Sequence, residues 1–206
     1  MALTDLSIKE FLVKTASNSP VPGGGSIAAL SAAVAASLSE MVARLTIGKD
    51  GYDALEEDMK KIAKDAADYR NKLIKDIDRD SNAYNNVMAA FKLPKATEQE
   101  QKNRKRAIQE ALKSASLVPL DVAKDAFKII ELAEKVVKYG NESAVTDGTV
   151  AVMMARTAVL SALYNVKINL ISIKDLDFIE KVRKEIKHME SEIINREREI
   201  LSDISI

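Results

Sequence analysis

The chain has 206 residues, with 31 basic and 31 acidic side chains and a formal net charge of zero. That balance gives no electrostatic reason to expect nucleic acid or an anionic membrane as partner. There is no cysteine and one histidine, His188, so disulfides, thiolate chemistry and a multi-histidine zinc site within one chain are excluded. The length suits a single domain spanning 1–206. Met1 to Glu10 lacks a basic region followed by an apolar run, and a cytoplasmic location is expected.

Ser7 and Glu10 have capping-box spacing and predict a short helix from Ser7 to Thr15, anchored by Phe11 and Leu12. Next comes Ser17-Asn18-Ser19-Pro20-Val21-Pro22-Gly23-Gly24-Gly25-Ser26. Two prolines stiffen the approach, and three glycines free the backbone where a helix begins. One reading is a tight turn that only allows close packing. The other is a set of N–H groups open to an anion or an electron-rich ligand edge. The second helix, Ser26 to Ile47, carries only Glu40 and Arg44 as charges. Its Ala- and Ser-rich surface predicts a buried core helix, not a membrane span, with a subunit interface completing its burial.

Tyr52 to Leu93 contains no Pro or Gly and predicts one helix ~60 Å long. Its apolar stripe runs through Ile62, Ala66, Tyr69, Leu73, Ile77, Tyr84, Val87, Met88 and Phe91, and Asp80 falls inside it. Thr97 and Glu100 form a second capping-box match. They open a helix that continues to Tyr139, with Pro119 expected to kink or break it. The basic cluster from Lys102 to Arg106 is interleaved with polar residues and reads as a solvated face. After the Gly140-Asn141 turn, Ser143 to Ile171 places Asp147, Ala151, Ala155, Ala158, Ala162, Asn165 and Asn169 on one face. Asp175 is positioned to cap the last helix, whose Ile179, Val182, Ile186, Met189, Ile193 and Ile200 keep heptad spacing. His188 reads as a surface or boundary residue. No strand-like alternation is present. The expected fold is all-α, an antiparallel multi-helix bundle of long helices.

Asp80 is the leading candidate for chemistry. A carboxylate in an apolar stripe is either paired with a neighbouring Tyr or Lys or has a raised pKa that suits proton exchange. Lys49 follows the second helix, where a cation also favours the helix end. Lys95 lies on a loop where it would close on an anionic substrate. Asp147 sits in the first turn of its helix. No P-loop follows the glycines, and no metal-ligand spacing occurs.

Four blocks together resemble the cyclodeaminase/cyclohydrolase family of folate enzymes. They are Pro20 to Ser26 with Ala28-Ala29-Leu30 and Met41 to Thr46; Asp78-Arg79-Asp80-Ser81-Asn82-Ala83-Tyr84 with Lys92-Leu93-Pro94-Lys95; Gly140-Asn141 with Thr146-Asp147; and Asn165 to Leu170. The order and spacing hold from Phe11 to Leu170. The resemblance implies a helical bundle that forms a homodimer and acts on a one-carbon tetrahydrofolate, with no cofactor beyond that substrate and no metal. It implies either formiminotetrahydrofolate cyclodeaminase, which forms 5,10-methenyltetrahydrofolate and ammonia, or methenyltetrahydrofolate cyclohydrolase, which gives 10-formyltetrahydrofolate. A folate-binding bundle without catalysis is the third reading. Carried onto this chain, Asp80 and Asp147 become catalytic. Gly23, Gly24, Gly25, Ser26, Lys49, Tyr84, Lys95, Asn141, Asn165 and Asn169 become substrate-binding. The length leaves room only for the cyclodeaminase part of the bifunctional animal enzyme. The substrate would then arrive from a separate transferase, or the reaction would be the cyclohydrolase.

Overall fold

The computed structural model describes residues 2–204; Met1, Ser205 and Ile206, at the ends of the expected 1–206 domain, lie outside it. Six α-helices follow one another: α1 (Ile8–Thr15), α2 (Gly24–Thr46), α3 (Glu56–Phe91), α4 (Glu98–Tyr139), α5 (Val145–Leu170) and α6 (Leu176–Ser202). Short 3-10 turns occupy Leu3–Asp5, Asp53–Leu55 and Glu142–Ala144, and there is no strand among the described residues.

Local chemistry sets the helix starts. Ser7 and Glu10 close a capping box on α1, and Thr97 and Glu100 close one on α4. Asp175 accepts from the Phe178 amide and caps α6. In α1 only Phe11 is buried; Leu12 is exposed, because a helix this short turns one face to the bundle. Two other starts differ from the expected ones. α2 begins at Gly24 rather than Ser26, and α3 begins at Glu56, after the 3-10 turn.

Ion pairs and hydrogen bonds give the directions. Glu40 meets Arg70, and Ser26 meets Asp80, so α2 and α3 run antiparallel. Lys72 with Asp125 and Arg79 with Asp121 set α3 antiparallel to α4. Asn169 on α5 reaches Ala115 on α4, and Gly148 lies against Val137. α5 is therefore antiparallel to α4. Helices α2 to α5 form an up-and-down bundle. α6 packs outside on α5 and α4, with its six heptad residues buried and His188 exposed. The alanines of α2 and the seam Ala151, Ala155, Ala158 and Ala162 of α5 lie in the core. With no side chain beyond Cβ they let the helix backbones approach closely.

α2 lies against α3, α4 and α5. Its one buried carboxylate, Glu40, accepts from Arg44 at 2.8 Å and Arg70 at 3.0 Å. Burial pushes the Glu40 pKa up, but the two guanidinium groups outweigh it and hold it below the ordinary value. The spans Gly24–Thr46 and Glu142–Leu170 are each long and apolar enough to cross a membrane, and 61% of the most apolar stretch of the first is buried inside the bundle.

Pro119 does not break α4, which is continuous from Glu98 to Tyr139. Proline lacks the N–H that would bond the carbonyl four residues earlier. That carbonyl, on Ala115, accepts instead from the Asn169 side-chain amide at 3.0 Å. α5 thereby satisfies the group that Pro119 leaves open.

Candidate active site

The site is built where α2 begins. Gly23 is the N-cap, in an extended conformation, and offers no side chain to the first turn. None of Gly23, Gly24 and Gly25 has a positive φ, so the backbone freedom expected of them is not used. Their missing side chains matter instead. A Cβ on Gly25 would stand 2.0 Å from Oδ1 of Asp80 and 2.5 Å from its Cγ. A Cβ on Gly24 would stand 3.1 Å from Nδ2 of Asn165. A Cβ on Gly23 would meet only the Pro20 carbonyl, at 3.2 Å. Two consecutive glycines thus admit a carboxylate from α3 on one flank of α2 and an amide from α5 on the other. The turn ahead of them contains a cis peptide between Val21 and Pro22.

Asp80 is half-buried. Its Oδ2 accepts from the hydroxyl of Ser26 at 2.9 Å. A carboxylate over the first turn of a helix also meets the positive end of the helix dipole. Burial pushes the Asp80 pKa above the ordinary carboxylate range, while the Ser26 hydroxyl and, more weakly, its backbone amide hold it down. Asp80 forms no ion pair with any described residue; its chain neighbour Arg79 is turned to Asp76 and Asp121. The result is an accessible acid/base group without a dedicated cation.

Tyr84 and Met88 follow Asp80 at one-turn intervals, and Phe91 follows on the same side. The sequence places all three in the apolar stripe, yet each is more than a third exposed. α3 runs antiparallel to α2, and the segment beyond Asp80 extends past the start of α2. The 11 residues from Asp80 to Phe91 cover about 16 Å, leading to exposed Lys92 and Lys95. Asn165 donates its amide to the Ser161 carbonyl at 2.9 Å, which turns it along α5 at the level of exposed Gly24. Ser81 is a residue with no role in the sequence reading. It is buried and lies 3.2 Å from the Ser26 hydroxyl. Its place beside Asp80 in an apolar stripe is the signal that would have found it.

The remaining expected site residues are elsewhere. Asn141 is buried and fully engaged. Its backbone amide donates to Thr46 Oγ1 at 2.9 Å, its side-chain amide to the Leu45 carbonyl at 3.2 Å, and its Oδ1 accepts from Ser143 N–H and Lys49. It clamps the end of α2 to the start of α5. Lys49 also lies over the Tyr52 ring, 5.4 Å from its centre. Asp147 is in the first turn of α5. The 18 residues from Asp147 to Asn165 put about 27 Å of helix between them. The chain therefore does not bring Lys49, Asn141 or Asp147 to the atoms that Asp80 would touch. The seam of α5 is one face, but its two polar ends serve opposite ends of the bundle. Asn169, one turn beyond Asn165, has given its amide to Ala115.

A depression of about 980 Å³ lies at that far end, between the carboxyl ends of α4 and α6 and the start of α5. Five carboxylates line it, from Glu134, Glu142, Glu192, Glu199 and Asp203, against Lys138 and Arg196. Arg196 is already paired with Glu131 and Glu134. That rim repels an anionic ligand, and Asp80 and Asn165 are not part of it. No group of three or more His, Asp or Glu side chains placed to hold a metal ion occurs among the described residues.

Comparison with known proteins points to one family and to two activities within it. The sequence profile of formiminotransferase-cyclodeaminase matches residues 7–188. A methenyltetrahydrofolate cyclohydrolase of Methylorubrum extorquens is 40% identical over 186 residues, covering 90% of this chain and 89% of its own length. The formimidoyltransferase-cyclodeaminase of Rattus norvegicus is 34% identical over 91% of this chain, which spans only 35% of that longer protein. The crystal structure of formiminotetrahydrofolate cyclodeaminase from Thermotoga maritima superposes with a TM-score of 0.84, at 32% identity, over 95% of this chain and 93% of that one.

Proposed function

The chain belongs to the formiminotransferase-cyclodeaminase family, and from that premise we propose that it is an enzyme of one-carbon tetrahydrofolates, a formiminotetrahydrofolate cyclodeaminase. The observation that carries the reading is Asp80: a half-buried carboxylate with raised proton affinity, bonded on one oxygen and facing the open start of α2. The reaction needs such a group. N10 of the substrate attacks the formimino carbon and forms a tetrahedral centre between N5 and N10. Asp80 takes the proton from N10 and returns it to the amino group. The C–N bond to that group breaks, ammonia leaves, and the methenyl cation remains beside a carboxylate that stabilises it. Three hydrogens, two from the formiminium nitrogen and one from N10, account for the ammonia.

From Asp80 past Tyr84 and Met88 to Phe91 this face of α3 offers aromatic and apolar contacts and covers about 16 Å, of the order of the distance from the pterin to the glutamate of folate. Lys92 and Lys95 stand at the end suited to the glutamate carboxylates. Asn165 is placed for the pterin edge, and Gly24 leaves room for it.

A second reading has its own support. The Methylorubrum extorquens relative of matching length and 40% identity is a cyclohydrolase. There, water adds to the methenyl carbon, Asp80 takes one of its protons and passes it to N5, the C–N5 bond opens, and the hydroxyl left on the carbon releases the second proton as it becomes the carbonyl of the 10-formyl product. Incubation with formimino- and methenyl-tetrahydrofolate in separate reactions, followed at the methenyl absorbance band, distinguishes them. Appearance of the band from the first substrate supports the cyclodeaminase. Accelerated loss of the band from the second supports the cyclohydrolase. Binding without either change leaves a folate-binding bundle and refutes catalysis.

The same reading includes a homodimer in the cytoplasm, without nucleic-acid or membrane partners. Val34, Met41 and Leu45 of α2 and Met153, Tyr164 and Ile168 of α5 are exposed along adjacent antiparallel helices. A two-fold partner on this face would cover them isologously. With the two-fold axis perpendicular to the helices, it would also carry its own Lys49 and Asp147 end toward the Asp80 end of its neighbour, reuniting across two chains what one chain keeps apart.

A further inference from the structure

We infer that Ser26 is a positioning residue for Asp80: its hydroxyl engages Oδ2 and fixes the carboxylate against Gly25, leaving Oδ1 for the reacting atoms. The inference rests on Asp80 being the acid/base group. Ser26 is fully buried in the first turn of α2, so it has no route to a ligand of its own, although its place in the glycine block reads as substrate-binding. Its hydroxyl has one proton and three neighbours: Oδ2 of Asp80 at 2.9 Å, the Ile77 carbonyl at 3.1 Å and the Ser81 hydroxyl at 3.2 Å. The ionised oxygen is the nearest and the strongest acceptor. Ser81 is then free to donate to Ser26, and the order of donation runs Ser81 to Ser26 to Asp80. No side chain among the described residues donates to Oδ1. It lies where Gly25 would carry a Cβ, so the glycine and the serine together define one seat for the carboxylate.

No charge competes with this bond. On α3, Arg79 is held by Asp76 and by Asp121 of α4. On α5, Asn165 is neutral and Lys167 is paired with Glu190 of α6. On α2 there is no charged side chain before Glu40. The Ser26 bond therefore opposes the upward push of burial on the Asp80 carboxyl. Removing the hydroxyl moves the group further up and loosens the carboxylate, while the weaker pull of the Ser26 backbone amide remains.

The test is Ser26→Ala with two readouts on the full chain: the 13C carboxyl titration of Asp80 by NMR without substrate, and kcat/KM against pH. Both the NMR midpoint and the acid limb should rise by about one pH unit, the equivalent of one hydrogen bond to a charged group. kcat should fall about tenfold or more while KM changes little. A folded Ser26→Ala protein with midpoint and limb unmoved overturns the inference. If Ser26→Ala does not fold, Ser81→Ala carries the test. It removes the donor behind Ser26, and the midpoint must rise by a smaller amount; no rise overturns the inference. The titration needs no turnover. A wild-type protein inactive on both folates removes the functional reading, while the midpoint still decides the role of Ser26.

Discussion

Substituting alanine for each glycine at the start of α2 should give three different outcomes. In Gly25→Ala the new Cβ would sit 2.0, 2.5 and 2.7 Å from Oδ1, Cγ and Oδ2 of Asp80. The carboxylate must leave its seat. The lost charge-assisted bond to Ser26 costs about 1.5–3 kcal/mol. Overpacking costs about 1–3 kcal/mol more. Better helix propensity returns at most about 1 kcal/mol. The net loss is roughly 2–5 kcal/mol, and displacing the acid/base group by about 1 Å lowers kcat about 100-fold. In Gly24→Ala the neighbour is the end of the Asn165 side chain, at 3.1 Å, which can rotate away. The stability loss is about 1 kcal/mol or less, in the lower range of overpacking. In Gly23→Ala the contact is 3.2 Å to the Pro20 backbone carbonyl, and alanine is a poorer N-cap than glycine; stability falls by about 1 kcal/mol while kcat stays close to wild type. Urea unfolding and steady-state turnover on all three check the order. Asp80→Ala supplies the control: the Gly25→Ala penalty should largely vanish in that background, as an interaction energy of about 2 kcal/mol or more in a double-mutant cycle. Equal effects at the three glycines, or a Gly25→Ala protein as active and stable as wild type, would refute the seating of Asp80.

Three further outcomes follow from other features. Asn169→Ala strands the Ala115 carbonyl and should cost about 1–3 kcal/mol; in a Pro119→Ala background the restored N–H takes that carbonyl, and urea melts should show a much smaller cost. Asp76 is 3% exposed, has one oxygen without a partner, and burial raises its pKa despite Arg79. A folded carboxyl with raised pKa binds its proton more tightly than the unfolded one, so stability falls as pH rises from the ordinary carboxylate value to the raised one. Asp76→Asn should flatten that fall and be the more stable protein at pH 7, seen by urea unfolding between pH 4 and pH 7. Met153→Glu with Leu45→Glu places charge on the exposed face of α5 and α2 and should halve the mass measured by light scattering. An unchanged monomeric mass in the wild type would remove the dimer.

Local signals in the sequence correspond to local structure. The capping boxes at Ser7 and Thr97 and the heptads of α6 each need only a few neighbouring residues, and the helices start and pack accordingly. The anomalous carboxylate was legible too, because Asp80 interrupts an apolar period. Features that join distant segments were not. Gly25 is explained by a residue 55 positions later, and Asn169 by a carbonyl 54 positions earlier. Tyr84, Met88 and Phe91 fit the core period of α3, but period gives a face and not the level at which a covering helix stops. The 27 Å between Asp147 and Asn165 was available from helix rise alone. Helical period reports a shared face but not a shared level, and the bundle holds Asp147 and Asn165 at opposite ends of one seam.

In the proposed reaction Asp80 moves the proton. Single-turnover formation of methenyltetrahydrofolate from the formimino substrate by Asp80→Asn, compared with wild type at equal folate occupancy, tests it most directly. The amide keeps the shape and can still receive the Ser26 bond, but it cannot accept a proton. The Asp80→Asn rate should be lower by about 100-fold or more, within the range of general acid–base catalysis, with binding retained. A rate equal to wild type would contradict it.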